Sequence, residues 1–159
     1  MAVVAAVAVN VGRQRKDTRM RRMLMCLSLA AMAGLSGCSS ASNPQAEKAA
    51  VAAAKDWLSL VDEEKYAESW DAAAQYFKGA VQKEQWTQAM QSGRKPFGKN
   101  ISRELKSARY RTAMPGAPDG EYVVIQFKAS FENKKSAMET VTPMLDKDGQ
   151  WRVSGYFMK

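Results

Sequence analysis

The chain has no histidine, and its two cysteines, Cys26 and Cys38, both fall within the first 38 of 159 residues. Histidine is the commonest general base and metal ligand near neutral pH, so a Ser/His/Asp set or a Cys/His zinc cluster cannot be assembled. Everything after Cys38 lacks a thiol, which leaves packing rather than disulfides to stabilise any domain there. Long apolar runs are missing too. The run Leu24–Leu35 covers 12 residues, against the roughly 17–25 that a membrane-spanning helix needs. No glycine-rich phosphate loop is present.

The formal charge of +8 is not spread evenly. Six of the 24 Lys and Arg residues precede Cys38, against one acid, Asp17; the remainder, 18 basic and 15 acidic, is a mixed surface of net +3. No stripe of basic and aromatic residues tracks a phosphate backbone, so nucleic acid is not an expected partner.

What is present early on is a charged start, Arg21 and Arg22, then the short apolar run, then small residues ahead of Cys38. This is the layout of a cleaved secretory signal. Leu35-Ser36-Gly37-Cys38 resembles the lipobox of bacterial lipoproteins. That resemblance implies a diacylglycerol on the Cys38 thiol, cleavage before Cys38 and acylation of the new amine. Each buried methylene contributes roughly 0.8 kcal/mol and more than one chain is needed for stable attachment, so three chains imply anchoring to membrane lipid without crossing the bilayer. Ser39, rather than Asp, resembles the outer-membrane sorting rule of Gram-negative lipoproteins, which implies a periplasm-facing envelope protein. Met1–Val9 is a second apolar stretch, and the compact signal begins at Met20, the suspected true start. The expected organisation is a signal over 1–37, a lipidated tether over 38–43 and one domain over 44–159.

Within the domain, Asn43-Pro44 reads as a capped helix start with Glu47 in its first turn. Ala50, Ala53, Ala54, Trp57, Leu58 and Val61 recur at three- and four-residue spacing, predicting a helix over about 44–61. After Asp62-Glu63-Glu64, a second helix is expected over 65–78, ended by Gly79, and a third over 83–91. Past Ile101 the period becomes two. Strands are expected over 101–113, 122–131, 137–145 and 151–158, joined by turn-forming stretches. Val123, Ile125, Phe127, Ala129 and Phe131 should share one buried face. Trp151, Val153, Gly155 and Phe157 should lie opposite Arg152, Ser154, Tyr156 and Met158. Pro143 argues for an edge or a bulge. Helices first and an antiparallel meander afterwards make an α+β domain: three N-terminal helices packed on a four-stranded sheet. That order is similar to the cystatin-like and nuclear-transport-factor-2-like cone folds, which host enzymes and binding modules alike.

Trp57-Leu58, Tyr66, Ser69-Trp70, Phe77, Trp86, Arg94-x-Pro-x-Gly98, Arg103, Pro115-Gly-Ala-Pro-Asp-Gly-Glu-Tyr122, Phe127, Phe131, Glu139 and Trp151-Arg-Val-x-Gly-Tyr156 together resemble the domain-of-unknown-function family 4019, over about 50–156. Glu64 departs from that pattern, which leads one to expect a turn glycine. The family implies exported, often lipid-anchored proteins and no activity.

Cys38 is the expected lipidation site; no catalytic, cofactor or metal residue is assigned. Arg94, Arg103 and Tyr156 could contact a ligand or partner by holding an anionic group; surface salt bridges to Glu139 or Glu104 are the plainer account. Trp57, Trp70, Trp86 and Trp151 could line a pocket, but each sits on an apolar stripe and core packing explains them. Asp71, Glu121 and Glu139 are the acids placed near enough to consider for a ketosteroid-isomerase type of acid–base chemistry. Three functions therefore stay open: a non-catalytic binding domain engaging an envelope protein or small ligand, a carrier of a small hydrophobic ligand in the cone, and a small acid–base enzyme.

Overall fold

The computed structural model describes residues 3–5 and 42–159. The expected leader boundary, the proposed start at Met20 and Cys38 itself lie outside the described residues. Among those described, no helix is long and apolar enough to cross a membrane.

Helix α1 spans Pro44–Asp62, and the Asn43 side chain accepts the Ala46 N–H at 3.1 Å, as the cap reading requires. Its apolar stripe, Ala50, Ala54, Trp57, Leu58 and Val61, is buried, while Lys48, Lys55, Asp56 and Ser59 are exposed. The chain then makes α2 (Tyr66–Asp71), α3 (Gln75–Ala80), α4 (Lys83–Gly93) and a 3-10 turn at Lys95–Phe97. Strands β2 (Asn100–Arg111), β3 (Tyr122–Phe131), β4 (Lys134–Leu145) and β5 (Trp151–Met158) form an antiparallel meander with α1 packed across it. The α+β class stands. A further short strand, β1 (Val3–Ala5), pairs antiparallel with β5, Val3 opposite Met158 and Ala5 opposite Tyr156. Its residues come from the stretch read as preceding the fold; short apolar sequence of this kind suits the otherwise unpaired edge of β5. The sheet order is β1-β5-β4-β3-β2.

Two corrections to the sequence reading meet around Val153. The expected helix over 65–78 is two helices, because Ala74 is extended and its N–H donates to the Val153 carbonyl at 2.9 Å. Val153 and Pro143 form a non-hydrogen-bonded pair, so the Val153 carbonyl points away from β4, along the outer edge of β5 that β1 covers only at Tyr156–Met158. The helical segment breaks where its Ala74 N–H meets that open carbonyl. The register also slips here: Thr142 faces Gly155 and Pro143 faces Val153, leaving Ser154 as the extra residue, its hydroxyl donating to the Thr142 carbonyl at 2.7 Å. Pro143 thus marks a bulge in a central strand. Past the bulge the alternation inverts, so Tyr156 and Met158, rather than Gly155 and Phe157, turn to the helices and are buried.

The β3 face came out as read: Val123, Ile125, Phe127, Ala129 and Phe131 are all buried. Above it the space between helices and sheet is filled by rings. Trp86 lies 5.2 Å from Phe77, 5.8 Å from Trp57 and 6.3 Å from Tyr156, centroid to centroid. Trp57 and Trp86 donate their indole N–H groups to the carbonyl and hydroxyl of buried Ser69, at 2.7 and 2.9 Å. Trp70 and Trp151 pack against the same core from partly buried positions.

Glu64 takes the left-handed conformation, φ 60°, just past the end of α1. That geometry costs a residue with a Cβ roughly 1–2 kcal/mol and suits glycine. Against that cost, among the described residues, stands an exposed pair with Lys95 at 2.8 Å, of the kind that contributes roughly 0–1 kcal/mol. Glu64→Gly should therefore raise stability by about 1 kcal/mol, and Glu64→Ala should not, as measured by urea unfolding of both variants.

Candidate functional site

Among the described residues, two places gather chemistry-bearing side chains. One is inside the domain. Asp62 ends α1, Arg94 follows α4, Arg103 lies on β2, Glu139 on β4 and Tyr156 on β5. Glu139 is wholly buried, Arg94 is 3% exposed, and the Arg103 side chain 14%. Arg103 donates Nε to one Glu139 oxygen at 2.5 Å and Nη2 to the other at 3.3 Å. On its far side it reaches both Asp62 oxygens, at 2.6 and 3.0 Å. The Tyr156 hydroxyl donates to Glu139 Oε1 at 2.7 Å. Arg94 donates to Asp62 Oδ1 at 2.9 Å and to the Gly98 carbonyl at 2.8 Å, with its guanidinium 4.2 Å from the centre of the Phe131 ring.

The motif spacing Arg94-x-Pro-x-Gly98 acquires a reason here. Gly98 adopts φ +74°, and a Cβ on it would meet Glu132 Oε2 at 2.6 Å. Only glycine lets the turn bring its carbonyl back to Arg94.

Two guanidiniums and two carboxylates close on one another, so the buried charges sum to zero. Burial lowers a guanidinium's basicity, but the hydrogen bonds that Arg103 donates to Asp62 and Glu139 outweigh it and hold Arg103 above its ordinary value. Burial, then the neighbouring charge of Glu139 and its hydrogen bond, push the Tyr156 hydroxyl well above the usual tyrosine range. Arg94 Nε is buried without a partner among the described residues.

The sequence reading placed Arg94, Arg103 and Tyr156 near one another, and the structure brings them together. The salt bridge to Glu139 is buried, however, where a surface one was expected, because β4 is central and Glu139 alternates with Ala137 and Val141 on the helix face. Glu104 takes no part in this group. Asp62 was missed. It follows Leu58 by four residues on the buried face of α1, a spacing that marks it as inward-facing. Of the other acids considered, Asp71 is exposed and pairs with Lys83 at 2.5 Å. Glu121 accepts the Tyr110 hydroxyl at 2.9 Å, and that hydrogen bond raises the phenol above its usual range.

The second place is a cleft of about 810 Å³ at one end of the sheet, between α3, the loop joining β2 to β3, and the turn joining β4 to β5. Tyr76, Pro118, Met144 and Leu145 supply apolar surface; Asp71, Asp119, Asp146 and Asp148 face Lys78, Lys147 and Arg152 around it. Tyr76 and Tyr122 fix the loop wall by donating to the Gly116 and Pro118 carbonyls at 3.0 and 2.6 Å. Arg152 grips Asp146 at 3.1 Å and Asp148 at 2.7 Å, and its hydrogen bond brings the Asp148 carboxyl down to about 2. No periodicity announces such a cleft: its walls come from three distant segments. Among the described residues, no group of three or more His, Cys, Asp or Glu side chains could hold a metal ion.

Breaking the buried group from one side should cost far more than removing a matched pair. Arg103→Met strands Glu139 and is expected to lose about 3–5 kcal/mol, whereas Arg103→Met with Glu139→Met should recover most of it; urea unfolding of the single and double variants checks this. Tyr156→Phe removes a donor to a buried carboxylate and should cost about 2 kcal/mol at pH 7. Its pH dependence has a definite sign. An unfolded tyrosine loses its proton near pH 10, while native Tyr156 keeps it to higher pH. The stability tied to this group is therefore complete below about pH 10 and falls above it. Unfolding series from pH 8 to 11 should show a shallower alkaline decline in Tyr156→Phe than in the parent.

Comparison with known proteins agrees with the motif reading. No curated protein and no solved structure matches the chain. Residues 53–156 match the family described as Protein of unknown function (DUF4019). That span covers well over half of the sequence, and the chain belongs to the DUF4019 family.

Proposed function

We propose that this chain is an exported envelope lipoprotein, held to the membrane by acyl chains on Cys38, whose domain binds a partner and performs no chemistry of its own. The anchoring half of this reading rests on Leu35-Ser36-Gly37-Cys38 following a basic start and a short apolar run. The binding half rests on one observation: the interior is occupied. Rings at 5.2–6.3 Å fill the space where a cone-type carrier would hold a ligand. Glu139, which sits beside a tyrosine as an acid–base enzyme would require, has both oxygens engaged by Arg103 and Tyr156. A general base needs a lone pair within reach of substrate. Among the described residues the end cleft offers a recognition surface, of a size common for small-ligand sites, roughly 300–1,000 Å³. The periplasmic face of the outer membrane is the location that Ser39 favours.

Intact-mass analysis of the protein from membrane fractions tests the anchor. The parent should carry the mass of the chain from Cys38 onward plus diacylglycerol and one further acyl group. Cys38→Ala should retain its leader and lack the lipid; a parent mass with no acyl addition would overturn the reading.

A further inference from the structure

The start of α1 is tied to one end of the sheet. Glu47, in its first turn, accepts the backbone N–H of Tyr110 at 3.0 Å, near the end of β2. The next residue, Arg111, stands opposite Tyr122, Tyr122 opposite Met144, and Met144 opposite Arg152, so these four form one row across the sheet. With strands about 4.8 Å apart, Met144 and Arg152 lie roughly 10–15 Å along that row from Arg111. Both line the cleft. The tether from Cys38 to Asn43 is six residues, which span at most about 20 Å when fully extended. If Cys38 is acylated, the end of the domain that carries the cleft is held within reach of the lipid headgroups.

The lining suits what it would meet there. Tyr76, Pro118, Met144 and Leu145 offer apolar surface to the upper part of an acyl or glycerol moiety. The rim carries both signs, four aspartates against two lysines and an arginine. Arg152 is committed to Asp146 and Asp148, Asp71 pairs with Lys83, and Lys78 donates to the Asp71 carbonyl at 2.5 Å. Asp119 and Lys147 are exposed and make no ion pair among the described residues. A carboxylate and an ammonium so placed match a headgroup that bears an ammonium and a phosphodiester, and Asp119 disfavours a purely anionic headgroup.

We infer that the end cleft binds the headgroup of a zwitterionic phospholipid of the ethanolamine type, drawn from the leaflet in which the chain is anchored. The inference rests on the anchoring reading for its geometry. Asp119 faces the ammonium, Lys147 the phosphate, and the Tyr76–Met144 wall covers the glycerol region. A lipid held this way would seat the domain against the membrane in one orientation.

The test uses the acylated full chain in phosphatidylglycerol nanodiscs containing a small fraction of phosphatidylethanolamine with a diazirine on its glycerol-proximal chain. After irradiation, peptides carrying Tyr76, Pro118 and Met144 should be the labelled ones. Unlabelled phosphatidylethanolamine should suppress that labelling at least fivefold, and Asp119→Asn with Lys147→Gln should reduce it as much while thermal unfolding stays unchanged. Equal labelling by the matching phosphatidylglycerol probe would overturn the headgroup assignment. Equal suppression by free phosphoethanolamine would reassign the cleft to a soluble phosphoester. Labelling spread over the domain, or none in the cleft, would overturn the inference while leaving the anchor standing. A chain whose intact mass shows no acyl groups would overturn the anchoring reading and, with it, this inference.

Discussion

A negative charge in the middle of a sheet governs this domain. Glu139 has no solvent exposure, and an isolated carboxylate there would be untenable. Arg103 compensates it while also holding Asp62, and Arg94 balances that second carboxylate by reaching Asp62. The four charges belong to the end of one helix, the residue after another, and two strands. Each of those elements must arrive in register before any of the charges is compensated. Buried ion pairs of this sort are poor sources of net stability compared with an apolar core. Their effect here is to penalise misregister: a slip of β4 by one residue would send Glu139 to the other face and leave Arg103 unmatched.

Around that group the packing is apolar and aromatic, with rings 5.2–6.3 Å apart between helices and sheet. On the proposed reading the labour divides: the interior holds the shape, and recognition falls to the periphery, where loops rather than strands set the outline. The end cleft illustrates this. Its loop wall is fixed by phenol-to-carbonyl hydrogen bonds and its turn wall by Arg152, so the outline is set before any ligand arrives.

Much of the architecture was legible from the residues. The capped start of α1, its buried stripe and the inward face of β3 followed from periodicity and from Asn43-Pro44. The split of the second helix was not legible, because the partner that breaks it, the Val153 carbonyl, is far away in sequence and lies on an open stretch of the outer edge of β5. The inverted face of β5 has its own origin: alternation carries a strand's parity until a bulge resets it. Pro143 announced that something irregular would occur, and could not say to which neighbour. At the interior site, residue types were enough to nominate Arg94, Arg103 and Tyr156. They were not enough to find Asp62, whose position at the end of an apolar stripe looked like the polar finish of a helix. Glu64 is the opposite case, a residue whose mismatch with an expected glycine pointed directly at a left-handed turn.

The bond from Ala74 to Val153 also bears on how the polypeptide can be divided. A cut between Gly93 and Arg94 would separate helices from strands, and each fragment would keep one half of that bond. It would also part Asp62 from Arg103 and bare the rings that Trp57 and Trp86 pack on Tyr156, so neither fragment would retain the shared core.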